Sequence, residues 1–211
     1  MNFKLPFCFP YFKLFQTAIM AASKASNYDR MCGGCTALVA SQMLTFINPP
    51  ITASSYILDN ACGPGIVSAE IKVLHPDARI MATDFSPAMI DEVQARIKSQ
   101  GWKNVTTDVL DARDLSCLPD EKFTHVFMNL GLPAPGDREE SVTAVREVFR
   151  VLKPGGVAMF SSWAGKSLSS PITYGICELT PSFCKIASGS TPSTPPPAPS
   201  GHMKLHKRAW L

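Results

Sequence analysis

Residues 56–65 read Tyr-Ile-Leu-Asp-Asn-Ala-Cys-Gly-Pro-Gly, a short apolar run, an acid, then a turn carrying two glycines. An apolar run of this length, closed by glycine and proline, predicts a buried strand and a tight turn. The next nine residues, Ile66 to Leu74, predict a helix that Pro76 stops. Strand, glycine turn and helix in this order open a parallel α/β sheet. Glycines let the backbone of such a turn approach a ligand, and the helix N-terminus favours the ligand's anionic part.

The alternation continues outward from there. Arg79 to Thr83 predicts a second strand, ending in Asp84. Ser86 and Pro87 then supply an N-cap and a first-turn proline, Ile90, Val93 and Ile97 share one helix face, and Gly101 ends that helix. A third strand is expected at Asn104–Val109 and a fourth at Thr124–Leu130. A helix from Glu139 to Leu152 places Val142, Val145, Phe149 and Leu152 on one side. Lys153–Gly156 reads as a turn and Val157–Ser162 as a fifth strand. Strands separated by helices imply right-handed crossovers and a parallel sheet covered on both faces. Ligands of such sheets bind outside the carboxyl ends of the strands, where Asp59, Asp84, Asp111 and Asn129 all fall.

Composition bounds the rest. At 211 residues, 45% of them hydrophobic, the chain has enough for one cored domain plus tails. No uninterrupted apolar run reaches the roughly 20 residues of a membrane helix. The net charge of +3 is matched by Lys204, Lys207 and Arg208 in an acid-free terminal stretch, so the body is near neutral. A neutral body lacks the basic footprint of a nucleic-acid binder. Seven scattered cysteines point to a reduced, cytoplasmic protein rather than a disulfide scaffold. Cys32-Gly33-Gly34-Cys35 has no second Cys pair at zinc-ribbon spacing, so no metal is expected. Cys62 reads as a small buried filler and His125 as a core or edge residue.

Three segments follow. Residues 1–19, aromatic and broken by Pro6 and Pro10, read as a poorly ordered or dispensable leader. Residues 20–163 form the domain. Residues 164–211, with five prolines in 191–200, read as a divergent, disordered tail in which no element is expected.

The dinucleotide fingerprint fits poorly, since counting from Gly63 the sixth position is Ser68, and no Gly-Lys-Ser/Thr follows the turn. The ordered set does carry information: Leu58–Gly65, an acid ending the second strand, Asp-Ala-Arg-Asp-Leu at 111–115 and Leu-Lys-Pro-Gly-Gly at 152–156. Together these resemble the class I S-adenosylmethionine-dependent methyltransferases, most closely fungal small-molecule members of the methyltransferase type 11/25 group, over residues 27–163. The resemblance implies a Rossmann-like doubly wound sheet in the order 3-2-1-4-5, with the family's closing hairpin missing here.

It also implies roles. The backbone of Ala61, Gly63 and Gly65 would line the cofactor's methionine and ribose, and Asp84 would accept both ribose hydroxyls. Phe85 and Met89 would flank the adenine, while Asp111 and the Ala112 amide would read its polar edge. The Asn129 carbonyl would meet the cofactor's ammonium, Asp59 would hold the loop's amides or reach the ammonium through water, and Tyr28 would close over the carboxylate end. Ala61 stands where the family usually has glycine, which is tolerable at negative φ. Asp84 keeps a second reading as a cap of its own turn, and Asp111 and Asp114 as solvated loop acids. The implied partner is a small-molecule acceptor, and the resemblance names no catalytic base. A non-catalytic cofactor-binding fragment and a Rossmann-type nucleotide binder are the competing readings.

Overall fold

The computed structural model describes residues 34–132, 138–163 and 172–178. Its elements in chain order are α1 (Cys35–Thr45), β1 (Tyr56–Asn60), α2 (Ile66–Leu74), β2 (Arg79–Asp84), α3 (Pro87–Gln100), β3 (Val105–Val109), β4 (Phe123–Asn129), α4 (Arg138–Val151), β5 (Leu152–Trp163) and β6 (Ile172–Glu178). They make one six-stranded sheet in the order β3-β2-β1-β4-β5-β6. The first five strands are parallel, with Ile57 beside both Ile80 and His125. The order reverses between β1 and β4, which opens a crevice at their carboxyl ends.

Period-two alternation divides the core. Ile57, Ile80, Phe127, Val157 and Met159 pack on one face against Val39, Ala40 and Met43 of α1 and Val67 and Ile71 of α2. Ala82 continues that face beneath Ile90 and Val93 of α3. Leu58, Val126, Met128, Ala158 and Phe160 turn the other way and meet α4. Asp59 therefore shares its face with Ile57, and Asn60 shares the opposite face with Leu58.

Three expectations change. The sheet does not stop at the fifth strand: β6 pairs antiparallel with β5 from Val157↔Glu178 to Trp163↔Ile172, inside the stretch where no element was expected. The fully buried stripe of α4 is Ala144, Val148 and Val151, while Val142, Val145 and Phe149 are half-buried. Ala144 is small enough to let the helix approach the sheet, and it rotates the contact stripe accordingly. Ser86 sits at the N-cap of α3 ahead of Pro87 but makes no side-chain cap bond; Asp84 takes its N–H instead.

The Lys153–Gly156 turn survives as an excursion within β5. Phe123 pairs with Leu152 and His125 with Val157, so five residues advance opposite two. A Cβ at Gly156 would lie 2.8 Å from the Thr124 carbonyl oxygen, so only glycine lets the excursion fold back this closely. Among the described residues no helix is long and apolar enough to cross a membrane. Tyr28, Cys32 and the leader lie outside the described residues, as does the tail apart from β6.

Candidate cofactor site

At the carboxyl edge of β1 the chain bends at once. Ala61, Gly63 and Gly65 all adopt left-handed backbone, with φ of 54, 53 and 83°. The Cys62 N–H donates to the Thr83 carbonyl at 2.9 Å and the Gly65 N–H to the Cys62 carbonyl at 3.0 Å, which closes the turn against β2. Ala61 thus sits at positive φ, contrary to the expectation that an alanine there needs negative φ. An L-residue with a Cβ is held there at a cost of about 1 kcal/mol. A Cβ built on Gly63 meets nothing within 4 Å, so the space over that residue is open.

Asp84 ties this loop to the next helix. Its Oδ2 accepts the Gly63 N–H at 2.9 Å and its Oδ1 the Ser86 N–H at 2.9 Å. The carboxylate thus caps its own turn and tethers the glycine loop together. The residue is 2% exposed, and burial raises its pKa against the two amide bonds that lower it. Each oxygen retains acceptor capacity for one further donor.

Asp59 is fully buried beneath the loop. Its Oδ2 accepts the Ser68 N–H at 3.0 Å and the Ser68 hydroxyl at 2.6 Å, so it caps the first turn of α2. Its Oδ1 has no partner. Burial pushes its pKa up to about 7; the Ser68 bonds oppose that rise and the nearby Asp84 charge adds to it. On the opposite face, the Asn60 Oδ1 accepts the Thr83 hydroxyl at 3.1 Å while its Nδ2 finds no acceptor.

Asn129 closes the edge from the β4 side. Its Nδ2 donates to the Thr36 carbonyl at 3.0 Å, and its Oδ1 accepts the Ser161 hydroxyl at 2.7 Å. The amide side chain thereby joins the start of α1 to β5, with one N–H and one lone pair beyond these two bonds. Among the described residues the buried side-chain atoms without a partner are Thr36 Oγ1, Asp59 Oδ1 and Asn60 Nδ2. Each unmade bond costs about 1–3 kcal/mol, and all three belong to residues at this one end of the sheet. Asn60 and Thr36 escaped the sequence reading, because a strand-end amide and a first-turn threonine have no signature of their own.

The outer residues divide. Phe85 is 58% exposed, whereas Met89 is 1% exposed. Asp111 is paired within its own loop. Arg113 Nε lies 2.9 and 3.1 Å from its two oxygens and Arg113 Nη2 2.6 Å from Oδ2, and these bonds hold its pKa below the ordinary value. Arg113 also meets Glu140 at 3.1 Å. Asp114 accepts the Ser116 N–H as a loop acid.

Comparison with known proteins agrees with this geometry. Residues 57–156 match the family described as methyltransferase domain. Methyltransferase ucsB of an Acremonium species is 36% identical over 128 residues, covering 55% of this chain and 43% of that one. The acetylaranotin bis-thiomethyltransferase of Aspergillus terreus is 32% identical over 112 residues, covering 51% and 35%. The chain spans less than half the length of these relatives. A solved protein of Methanococcus maripaludis, described as a candidate S-adenosylmethionine-dependent methyltransferase, shares the fold at a TM-score of 0.54 and 22% identity over 66% of this chain and 62% of its own. Residues 57–156 thus form a methyltransferase domain with the strand order and glycine loop of the class I S-adenosylmethionine-dependent enzymes.

Proposed function

We propose that this chain binds S-adenosylmethionine at the carboxyl edge of β1 and β2 and passes its methyl to a small cytoplasmic metabolite. The observation that carries the reading is Asp84. A buried carboxylate already tethers the glycine loop, and each of its oxygens has a lone pair to spare for a ribose hydroxyl. The unpartnered Asp59 Oδ1 suits the cofactor's ammonium, and Asn60 Nδ2 and Thr36 Oγ1 add unspent hydrogen-bonding groups at the same edge. In this reading Phe85 and Met89 flank the adenine, and Asp111 with the Ala112 amide reads its polar edge.

When bound, the cofactor supplies a methyl on a positively charged sulfur, which an O, N, S or C nucleophile displaces in line. The protein's share is to orient both partners and exclude water. The naming of one relative as a bis-thiomethyltransferase favours thiols among the acceptors to be tried, as does the fungal source of both relatives for secondary metabolites.

Calorimetry of the full chain with S-adenosylhomocysteine, followed by transfer of radiolabelled methyl into a panel of phenols, amines and thiols, tests the reading. Binding with transfer is expected. Binding without transfer to any acceptor leaves a cofactor-binding fragment, and no binding removes the proposal. Tyr28→Phe is expected to weaken S-adenosylhomocysteine binding by about 1 kcal/mol if that hydroxyl bonds the carboxylate end. Equal affinity in the same titration would reject the role.

A further inference from the structure

Two non-glycine residues at the mouth of the switch crevice have left-handed backbone: Ala61, which follows β1, and Leu130, which follows β4. The strands they end are hydrogen-bonded neighbours. Between them lies Gly131. A Cβ built on Gly131 would stand 2.6 Å from the Ala61 Cβ, 3.3 Å from Met128 Cγ and 3.5 Å from the Ala61 carbonyl oxygen. Gly131 is not at positive φ, so glycine is there for room and not for backbone freedom. The room is filled by the methyl of Ala61, at a position where glycine would carry no strain. A strained residue persists only where its surroundings over-determine it, and such residues concentrate at ligand clamps.

We propose that Ala61 and Gly131 are a matched positioning pair: the Ala61 methyl, seated on Gly131, holds the segment after β4 against the glycine loop and fixes the width of the cofactor crevice. The assignment rests on the reading that this crevice binds the cofactor. The pair acts through the backbone of residues 61–65 and 129–131, without contact between either side chain and the reacting atoms.

The distances dictate a compensation. Removing the Ala61 methyl removes the 2.6 Å clash, and the next nearest atoms to a Cβ at 131 are Met128 Cγ at 3.3 Å, which has to give by a few tenths of an ångström, and the Ala61 carbonyl oxygen at an ordinary contact distance. Gly131→Ala should therefore weaken S-adenosylhomocysteine binding by at least about tenfold, and Ala61→Gly with Gly131→Ala should recover most of that loss. Ala61→Gly alone should bind about threefold more weakly, because the crevice loses preorganisation, while melting at or above the parent's temperature once the backbone strain is relieved. A purely structural role would move affinity and melting in the same direction. The experiment is calorimetric titration with S-adenosylhomocysteine and thermal melting of the parent and these three variants of the full chain. Parent-like binding by Gly131→Ala, or a double variant no better than Gly131→Ala, overturns the pairing. A parent that binds no S-adenosylhomocysteine removes the functional reading, and the pairing with it, before any variant is made.

Discussion

The carboxylates that end β1 and β2 differ from the one that follows β3 in what holds them. Asp59 and Asp84 are buried, and most of their bonds come from backbone amides of the adjoining loops and of α2. Asp111 is half-buried, and apart from the Arg113 amide it is held by the Arg113 guanidinium, itself at the surface. A backbone donor cannot move without the chain moving, so the first region is one rigid unit of loop, helix start and acid. The second is a side-chain arrangement that water can replace. Burial sets the pKa of the first pair upward, and the guanidinium sets that of Asp111 downward.

The sharpest way to test the rigid unit is through pH. Asp59 titrates near 7 in the fold and near 4 in an unfolded chain, so between those values the native state holds more protons. Stability therefore falls as pH rises from about 4 to about 7, by up to about 4 kcal/mol from this group alone. Asp84, also raised, adds in the same direction. Asp59→Asn, which resembles the protonated acid, should flatten most of that slope in urea denaturation series run across the window. An equally steep slope in the variant would place the titration elsewhere.

Asp84→Asn should come next in size. One amide oxygen can still accept either the Gly63 or the Ser86 N–H, but the NH2 group then faces the other donor. A loss of about 2 kcal/mol in the same denaturation assay is expected, with cofactor affinity falling further than stability explains. A variant as stable as the parent would mean that Asp84 does not tether the loop.

The strand and helix order was legible in the sequence because each element is bounded by its own chemistry: Asp59 and Gly65 around the first turn, Pro76 after α2, Ser86 and Pro87 before α3, Gly101 after it. Legibility failed where a neighbour decides. Nothing local to Ala61 announces a positive φ, nor that its methyl would lie where a Cβ on Gly131, seventy residues away in the chain, would stand. The Asn129 side chain gave no sign that Thr36 and Ser161 would claim it. β6 escaped because Ile172, Tyr174 and Ile176 give only three alternating positions beside a proline-rich tail, and the pairing partner is β5. The burial of Met89 is likewise a matter of how α3 sits, which its spacing from Ile90 and Val93 does not fix.

Arg113→Ala is the mildest test and the one that bears on the exposed half of the comparison. Its pair with Asp111 lies at the surface, with side chains 45% and 39% exposed, where such pairs contribute at most about 1 kcal/mol and are screened by salt. Arg113 also reaches Glu140 near the start of α4, so its removal loosens two weak contacts. Stability should consequently change by less than about 1 kcal/mol, and by less still at high salt. Cofactor affinity is the informative readout. If Asp111 reads the adenine edge, releasing it from Arg113 should leave S-adenosylhomocysteine binding equal or tighter, because a competing donor has gone. If instead the guanidinium orients the acid toward the ring, binding should weaken in calorimetry while the melting temperature stays put. That outcome would make the Arg113–Asp111 pair, rather than the lone acid, the adenine-side counterpart of Asp84.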